Sequence, residues 1–175
     1  VGDLAEGGIV FYVDETGEHG LVSAMEDLTE GSSDPNGLGF NGYEWGCYWV
    51  HVDGADGTSL STGYQNTMDI INFGCVTESG GITAAQASLD AEINGYNDWY
   101  LPSRDELLEM YNTIGNGNPQ GNLGAFVEDV WPCYWSSSEQ GGDTNLVSWG
   151  VRFDNGGSYF FNKYDNFRVR VIRSF

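Results

Sequence analysis

Glycine accounts for 26 of the 175 residues, against four prolines, and this abundance limits what the chain can fold into. Glycine loses more conformational freedom on folding than any other residue, and it serves mainly in turns and at sites of close backbone approach. The sequence therefore predicts many tight turns and few long helices. Aromatic residues make up 14% of the chain, so we expect a core of large, flat side chains between the turns.

The length of the chain suits one domain. A hydrophobic fraction of 40% is typical of a globular protein. The sequence shows neither an internal repeat nor a linker, so residues 1–175 are expected to form a single domain. It also contains no run of about 18 apolar residues, and insertion into a membrane as a helix is not expected.

Local patterns predict an opening hairpin followed by helices. Residues 8–13 and 21–24 read as two strands joined by a polar turn. Helical spacing of Thr67, Ile70 and Ile71 predicts a short helix that ends near Gly74. We expect a second, alanine-rich helix at 82–93.

A third helix has the clearest start signal in the sequence. Ser103 is a natural N-cap and Glu106 follows three residues later, which together form a capping box. Upstream, residues 43–50 are rich in aromatic side chains, and we expect them to pack beneath the polar loop at 29–42.

The C-terminal part of the chain reads as β-structure. Four segments have strand character: 134–138, 148–153, 158–161 and 167–173. In the second segment, Trp149, Val151 and Phe153 alternate with a set of mostly smaller or polar residues. That set is Ser148, Gly150, Arg152 and Asp154. Because successive side chains of a strand point to opposite faces, we expect the first set inward and the second outward. The fold class predicted is α+β.

Charge is distributed unevenly along the chain. The net charge is −20, yet five of the six basic residues lie within residues 152–175, which carry a net +3. A strongly acidic protein is repelled by nucleic acid and by anionic membranes, so neither is expected as a partner. We expect Arg168, Arg170 and Arg173 to belong to the scaffold and to pair with the acidic body.

Three cysteines, Cys47, Cys75 and Cys133, cannot all pair within one chain. None forms a CxxC motif or a cysteine–histidine spacing, which argues against a zinc site. Two arrangements stay open: one disulfide with a free thiol, or three buried thiols that behave as small hydrophobic residues. The sequence favours the second.

Signals for catalysis or for a cofactor are weak. The two histidines, His19 and His51, lie beside no nucleophile motif, and the Asp105–Glu106 pair suits the positive end of a helix. Residues 53–58 resemble half of a calcium loop but lack the glutamate at the twelfth position. No enzyme activity and no cofactor are expected, and calcium stays open.

Aromatic residues are concentrated near the end of the chain. Tyr159, Phe160 and Phe161 are consecutive, so a strand must expose at least one of them. Tyr164 and Phe167 flank polar residues in what reads as a loop. Exposed aromatic side chains usually mark a contact surface, so the sequence predicts recognition of a ligand here.

Several blocks together resemble one known family. They are "GGIVFYVDETGEHGLVSA", "GADGTSLSTGYQNT", "YNDWYLPSRDELLEMY", "YWSSSE" and "VRVIRSF". This combination resembles the Lcl C-terminal-like domain family, which is similar in fold to C-type lectins and to the formylglycine-generating enzyme. The resemblance implies a C-type-lectin-like α+β domain with an opening hairpin, two or three helices and a twisted antiparallel sheet.

The tail also resembles the variable proteins of diversity-generating retroelements. In those proteins, adenine-rich codons are randomised, and substitution of the adenines in AAC cannot produce Trp or Lys. Trp149 and Lys163 therefore fit a fixed scaffold. The resemblance implies a ligand-binding set of residues that such codons can encode: Asp143, Thr144, Ser148, Gly150, Arg152, Asp154, Tyr159, Phe161, Tyr164, Asp165 and Phe167.

The resemblances imply a recognition domain. It would display a hypervariable surface outside the cell, on a cell surface or on a virion, and bind a protein or glycan ligand on another cell surface. Two alternatives stay open. One is an enzyme related to the formylglycine-generating fold, which would need two adjacent, exposed cysteines. The other is a structural module of a secreted adhesin.

Overall fold

The computed structural model of the protein describes residues 1–29, 42–128, 131–142 and 145–175. These residues form a mixed α+β fold of three helices and two antiparallel sheets. The strands are β1 (Leu4–Ala5), β2 (Gly8–Val13), β3 (Gly20–Ser23), β4 (Cys133–Glu139), β5 (Val147–Arg152), β6 (Ser158–Asn162) and β7 (Ile172–Ser174). The helices are α1 (Gly63–Phe73), α2 (Ala84–Leu89) and α3 (Arg104–Thr113).

The first sheet has the strand order β1-β2-β3-β7 and contains the predicted opening hairpin, β2–β3. Its turn forms because the Asp14 carboxylate accepts hydrogen bonds from the backbone N–H groups of Thr16 and Gly17. Gly17 has a φ of 78°, which suits glycine. The C-terminal strand β7 pairs with β3 and so closes this sheet.

The second sheet has the order β4-β5-β6, as the sequence patterns indicate. The prediction of a fourth strand at 167–173 holds only in part. Phe167 and Arg168 form single bridges to Tyr43 and Tyr134, and regular strand begins only at Ile172, in the other sheet. This segment therefore crosses from one sheet to the other. Its backbone bonds change partner along the way, from Cys133 to Ala24 and then Tyr100.

All three predicted helices are present. Helix α1 ends where Gly74 adopts a left-handed conformation, and the Ser103–Glu106 capping box starts α3. Helix α2 is shorter than the predicted 82–93, because the chain turns after it into an Ile93–Tyr96 bridge. Within the described ranges, none of the helices has the length and apolar character needed to cross a membrane.

Aromatic side chains dominate the core, as expected from the composition. One buried cluster contains Trp45, Trp99 and Trp135, and the other contains Phe11 and Phe153. The indole nitrogen of Trp135 donates to the carbonyl of Tyr43, and that of Trp45 donates to Ser136. The polar edges of these large rings are thus satisfied inside the protein.

The tail arginines belong to the scaffold, as predicted. Arg170 donates to Asp27 and to three backbone carbonyls, and Arg168 lies 3.7 Å from the same carboxylate. Arg173 makes a two-pronged contact with Asp98. These buried charges are paired with acids from distant parts of the chain, and they tie the C-terminal segment to the body.

The favoured prediction that all three cysteines are buried thiols is wrong. Cys47 and Cys75 form a disulfide, and Cys133 is free and buried. The left-handed turn at Gly74 directs Cys75 toward Cys47, whose backbone N–H also donates to the Val76 carbonyl. Spacing alone could not reveal this pairing, because it depends on how α1 is docked.

Loss of this disulfide is expected to destabilise the protein. A cross-link that spans 28 residues restricts the unfolded chain and contributes roughly 3 kcal/mol. The double variant Cys47→Ser/Cys75→Ser should lose about that much unfolding free energy in urea titrations. Reductant should destabilise the wild type and leave the variant unchanged; equal sensitivity of both would contradict the assignment.

Stability should also depend on pH through Glu106. Burial raises the pKa of this carboxyl from its ordinary 4.5 to about 7, although the hydrogen bonds from Ser103 and Ser61 oppose the shift. The folded protein then holds a proton that the unfolded chain releases between these values. The unfolding free energy should fall as pH rises from 4.5 to about 7, and then level off.

The matched control is Glu106→Gln, which cannot ionise. Urea titrations across this pH range should show the fall in the wild type only. The same slope in the variant would assign the pH dependence to other groups.

Candidate ligand-binding surface

A buried ion pair lies beneath the most exposed aromatic residues. Lys163 and Glu139 are both buried, and the Lys163 ammonium donates to the Glu139 carboxylate. The ammonium also lies 4.6 Å from the ring centre of Trp45. Burial lowers the pKa of Lys163, whereas the hydrogen bond to Glu139 opposes that shift. Removing either partner would leave an uncompensated charge inside the protein.

This pair organises the loop at 47–55. The Lys163 ammonium donates to the Val50 carbonyl at 2.7 Å, and the second Glu139 oxygen accepts from the Val52 N–H at 2.8 Å. The same oxygen lies 2.9 Å from Nδ1 of His51. The disulfide anchors the loop at its start, at Cys47. A covalent bond and a buried ion pair thus fix the backbone from two sides.

The loop presents Tyr48 and Trp49, and Tyr164, which follows Lys163, packs against Tyr48; we call these three aromatic side chains the Trp49 cluster. Trp49 is 66% exposed and Tyr164 is 41% exposed. The Tyr48 ring lies between them, with its centre 5.0 Å from Trp49 and 4.6 Å from Tyr164. Trp49 has a φ of 71°, a left-handed conformation that is uncommon outside glycine. The fold therefore holds a large ring in solvent on a constrained backbone.

A second group of exposed side chains lies along β5 and β6. Tyr159 is 43% exposed, and Arg152 pairs with the exposed Asp154 while its guanidinium lies 5.2 Å from the ring centre of Trp131. On the opposite face of the sheet, the rings of Trp149 and Phe160 lie 4.0 Å apart. Both sides of the sheet therefore carry exposed aromatic surface.

The structure places the predicted ligand-binding residues in different environments. Arg152, Asp154, Tyr159 and Tyr164 reach solvent, and Phe161 and Asp165 are half-buried. Asp143 and Thr144 lie outside the described residues. Participation of these residues in ligand binding stays a prediction.

The prediction that Ser148, Gly150 and Phe167 face outward is wrong. All three are buried, and Phe167 retains only 7% exposure. Phe161 covers this face: it pairs with Ser148 across the sheet and contacts the ring of Phe167 at 4.6 Å. A Cβ on Gly150 would lie 2.9 Å from the Phe161 ring. At Ser148 and Gly150 both faces of β5 are thus covered, whereas period-2 alternation predicts outward positions only for a sheet with one face open to solvent.

On the other face, Val151 and Phe153 are buried as predicted, but Trp149 is only half-buried. The Arg104 guanidinium lies 4.9 Å from its ring centre and covers part of it. The sequence pattern thus predicted the correct strand face for all three residues and overestimated how deeply Trp149 is buried.

Two exposed tryptophans were missed by the sequence patterns. Residues 43–50 were expected to pack inside, and Tyr43 and Trp45 do so, but Trp49 points to solvent. Residues 30–41 of the loop predicted at 29–42 lie outside the described residues. Trp131 is also exposed and, like Trp49, has a positive φ. No sequence signal identifies such conformations in residues other than glycine.

The described ranges contain no candidate metal site. No three His, Cys, Asp or Glu side chains there converge as a metal site, and Asp53 of the calcium-like segment is exposed. Ser136 and Ser138 donate to the backbone carbonyls of Trp149 and Gly57, as expected for structural serines. His19 is exposed in the hairpin turn, away from any nucleophile motif.

Comparison with known families adds one finding. The family model of the Lcl C-terminal domain matches residues 44–173, about three quarters of the chain. The matched range contains both members of the disulfide, the buried ion pair and the exposed aromatic residues. No curated protein matches the chain.

Breaking the buried ion pair should cost about 3–5 kcal/mol of unfolding free energy. We expect this loss for Lys163→Met and for Glu139→Gln, because each leaves one polar partner buried without its counterpart. The double variant should lose much less than the sum of the two. Urea titrations of all four proteins form a double-mutant cycle, and strictly additive losses would contradict the coupling.

Alanine substitutions should separate core from surface within the predicted set. Phe167→Ala should lower the unfolding free energy by about 3–5 kcal/mol, because it empties a buried site. Tyr159→Ala should change it by less than about 1 kcal/mol. Thermal unfolding of the two variants beside the wild type would check this, and similar losses would overturn the division.

Proposed function

Since the chain belongs to the Lcl C-terminal domain family, a surface or binding module, we propose that it recognises a ligand through a C-type-lectin-like scaffold. The observation that carries the proposal is the exposure of Trp49 on a fixed backbone. A 66% exposed tryptophan in a left-handed conformation, held between a disulfide and a buried ion pair, contributes nothing evident to the core. Strained, exposed aromatic positions of this kind are typical of binding sites.

Rigidity supports recognition over a purely structural role. A ring that is already ordered before binding loses little conformational entropy when it meets a partner. Tyr48, which is itself packed against Tyr164, restricts the Trp49 ring from one side, and the disulfide restricts its backbone. Tyrosine, tryptophan and arginine dominate the energetics of protein interfaces, and these residue types occupy the exposed surface here.

We propose further that part of this surface is diversified. Lys163 and Trp149, which randomised AAC codons cannot encode, have scaffold roles: Lys163 forms the buried ion pair, and the Trp149 ring packs at a tilt against Phe160.

We also propose a class of ligand and a location for this protein. A protein or glycan on a cell surface suits a rigid aromatic surface, and the net charge of −20 disfavours nucleic acid. The Cys47–Cys75 disulfide supports an extracellular or virion-displayed location, because disulfides persist mainly in oxidising compartments.

One observation favours a second candidate, an enzyme related to the formylglycine-generating fold. That reaction would need two adjacent cysteines, and Cys47 and Cys75 are adjacent. Two features weigh against it. The two sulfurs are bonded to each other, and burial raises the pKa of the remaining thiol, Cys133, to about 12. Titration of the native, unreduced protein should detect no reactive thiol; rapid reaction of two thiols would favour the enzyme.

Binding to whole cells tests the proposed function. Labelled domain should bind bacterial cells that carry its ligand, and protease or periodate treatment of the cells would distinguish a protein from a glycan ligand. Tyr159→Ala and Tyr164→Ala should weaken binding about tenfold each and leave the Tm near that of the wild type.

Tyr64→Ala provides the control, because Tyr64 is an exposed tyrosine on α1 outside the proposed surface. Equal loss in all three variants, or no cell type bound by the wild type, would overturn the proposed function. Diversification has its own test in the neighbouring DNA. We expect a reverse transcriptase gene and an adenine-rich near-copy of the codons for residues 140–170.

A further inference from the structure

Every basic side chain of this protein is engaged by an acidic residue of the same chain. All six lie in the described ranges. The pairs are Arg104–Asp105, Arg152–Asp154, Lys163–Glu139, Arg168–Asp27, Arg170–Asp27 and Arg173–Asp98. The surface therefore offers a partner an excess of carboxylates and no unpaired cation from lysine or arginine. A complementary partner must supply positive charge itself.

At least five of these six cations also lie over an aromatic ring. The ring centres are 4.0 to 5.2 Å away. In Arg173, for example, the guanidinium lies over Tyr96 and binds the Asp98 carboxylate. In each arrangement, one cation contacts both an aromatic ring and a carboxylate. This protein thus repeatedly uses the attraction of a cation to the face of a ring.

The Trp49 cluster has the ring and the carboxylate of this arrangement. Asp165 follows Tyr164, whose ring contacts Tyr48, and Glu78 lies two residues after Val76, whose carbonyl accepts from the Cys47 N–H. Partial desolvation raises the pKa of Tyr48, and Tyr164, Glu78 and Asp165 add to the shift in that order. The cluster lacks a cation from the described part of the chain, because Lys163 is directed inward to Trp45.

The backbone at Glu78 and the carboxylate of Asp165 are both held in place by hydrogen bonds. The buried Glu44 side chain accepts hydrogen bonds from the backbone N–H groups of Glu78 and Ser79. The Asp165 carboxylate accepts from the backbone N–H of Asn162 at 3.0 Å. The segment that carries Glu78 is joined to the cluster by the disulfide and by the bond from Cys47 N–H to Val76. Rings and acids are therefore parts of one ordered surface.

We propose that the Trp49 cluster binds an arginine or lysine side chain in a basic segment of a partner protein. The proposal rests on the proposed function and names the chemistry of its ligand. Arginine fits best, because its planar guanidinium can stack on an indole ring while its N–H groups bind a carboxylate. The exposed Trp49 ring would provide the stacking face, and Glu78 or Asp165 would accept the hydrogen bonds.

A peptide titration tests this proposal directly. The probe is a fluorescent octapeptide of alternating glycine and arginine, titrated at about 150 mM salt, where long-range attraction between exposed charges is largely screened. Trp49→Ala should raise the Kd about tenfold, and Trp49→Phe, which retains a ring, should raise it less. Glu78→Gln should weaken binding roughly threefold.

Matched controls separate a site from general attraction to an acidic surface. Phe73→Ala removes an exposed ring at the end of α1, and Glu15→Gln removes an exposed charge in the hairpin turn. Neither should change the Kd. The proposal is overturned if the controls weaken binding as much as Trp49→Ala does, or if the wild type shows no saturable binding.

Cell binding distinguishes failure of this proposal from failure of the proposed function. If Trp49→Ala and Glu78→Gln bind cells like the wild type while Tyr159→Ala does not, recognition stands and the cationic ligand is wrong. If the wild type binds no cells, the proposed function fails. Loss of cell binding in Trp49→Ala, together with competition by the arginine peptide, would support both.

Discussion

The ion pair between Lys163 and Glu139 is the constraint on which the rest of the surface depends. Two charges removed from water are costly unless each is fully paired, so neighbouring groups must take up fixed positions around them. The carbonyl of Val50, the N–H of Val52 and the ring of Trp45 do so. The loop between Cys47 and Ala55 therefore takes its shape from two residues that lie far away in the sequence, on β4 and just after β6. Exposure of Trp49 follows from that shape.

Sequence patterns predicted what is decided locally. The opening hairpin, α1 with its end at Gly74, and the Ser103 cap all depend on residues within a few positions of each other. The environment of Phe167 could not be predicted in this way. Its burial requires Phe161 to lie over it, and Phe161 comes from a different element.

The candidate surface likewise combines residues that local patterns could identify with one that they could not. Tyr159 and Tyr164 could be recognised because consecutive or loop aromatics cannot all be buried. Trp49 could not, because its exposure depends on a disulfide partner at Cys75 and on a left-handed backbone. The sequence revealed the net charge but not how the charged side chains pair. The acidic excess is visible in the composition, but the engagement of every basic side chain becomes visible only in the folded arrangement.

Because Cys133 is a third thiol, correct disulfide formation depends on whether β4 forms before the thiols are oxidised. With three thiols in one chain, any two can join, and only one of the three combinations gives the native bond between Cys47 and Cys75. Cys133 avoids the wrong partners because, on β4, it is fully buried in the core. Formation of β4 thus prevents the Cys133 thiol from pairing with Cys47 or Cys75. A chain oxidised before β4 is in place could form Cys47–Cys133, which would tie the loop at 47–55 to β4, or Cys75–Cys133, which would leave that loop without its disulfide.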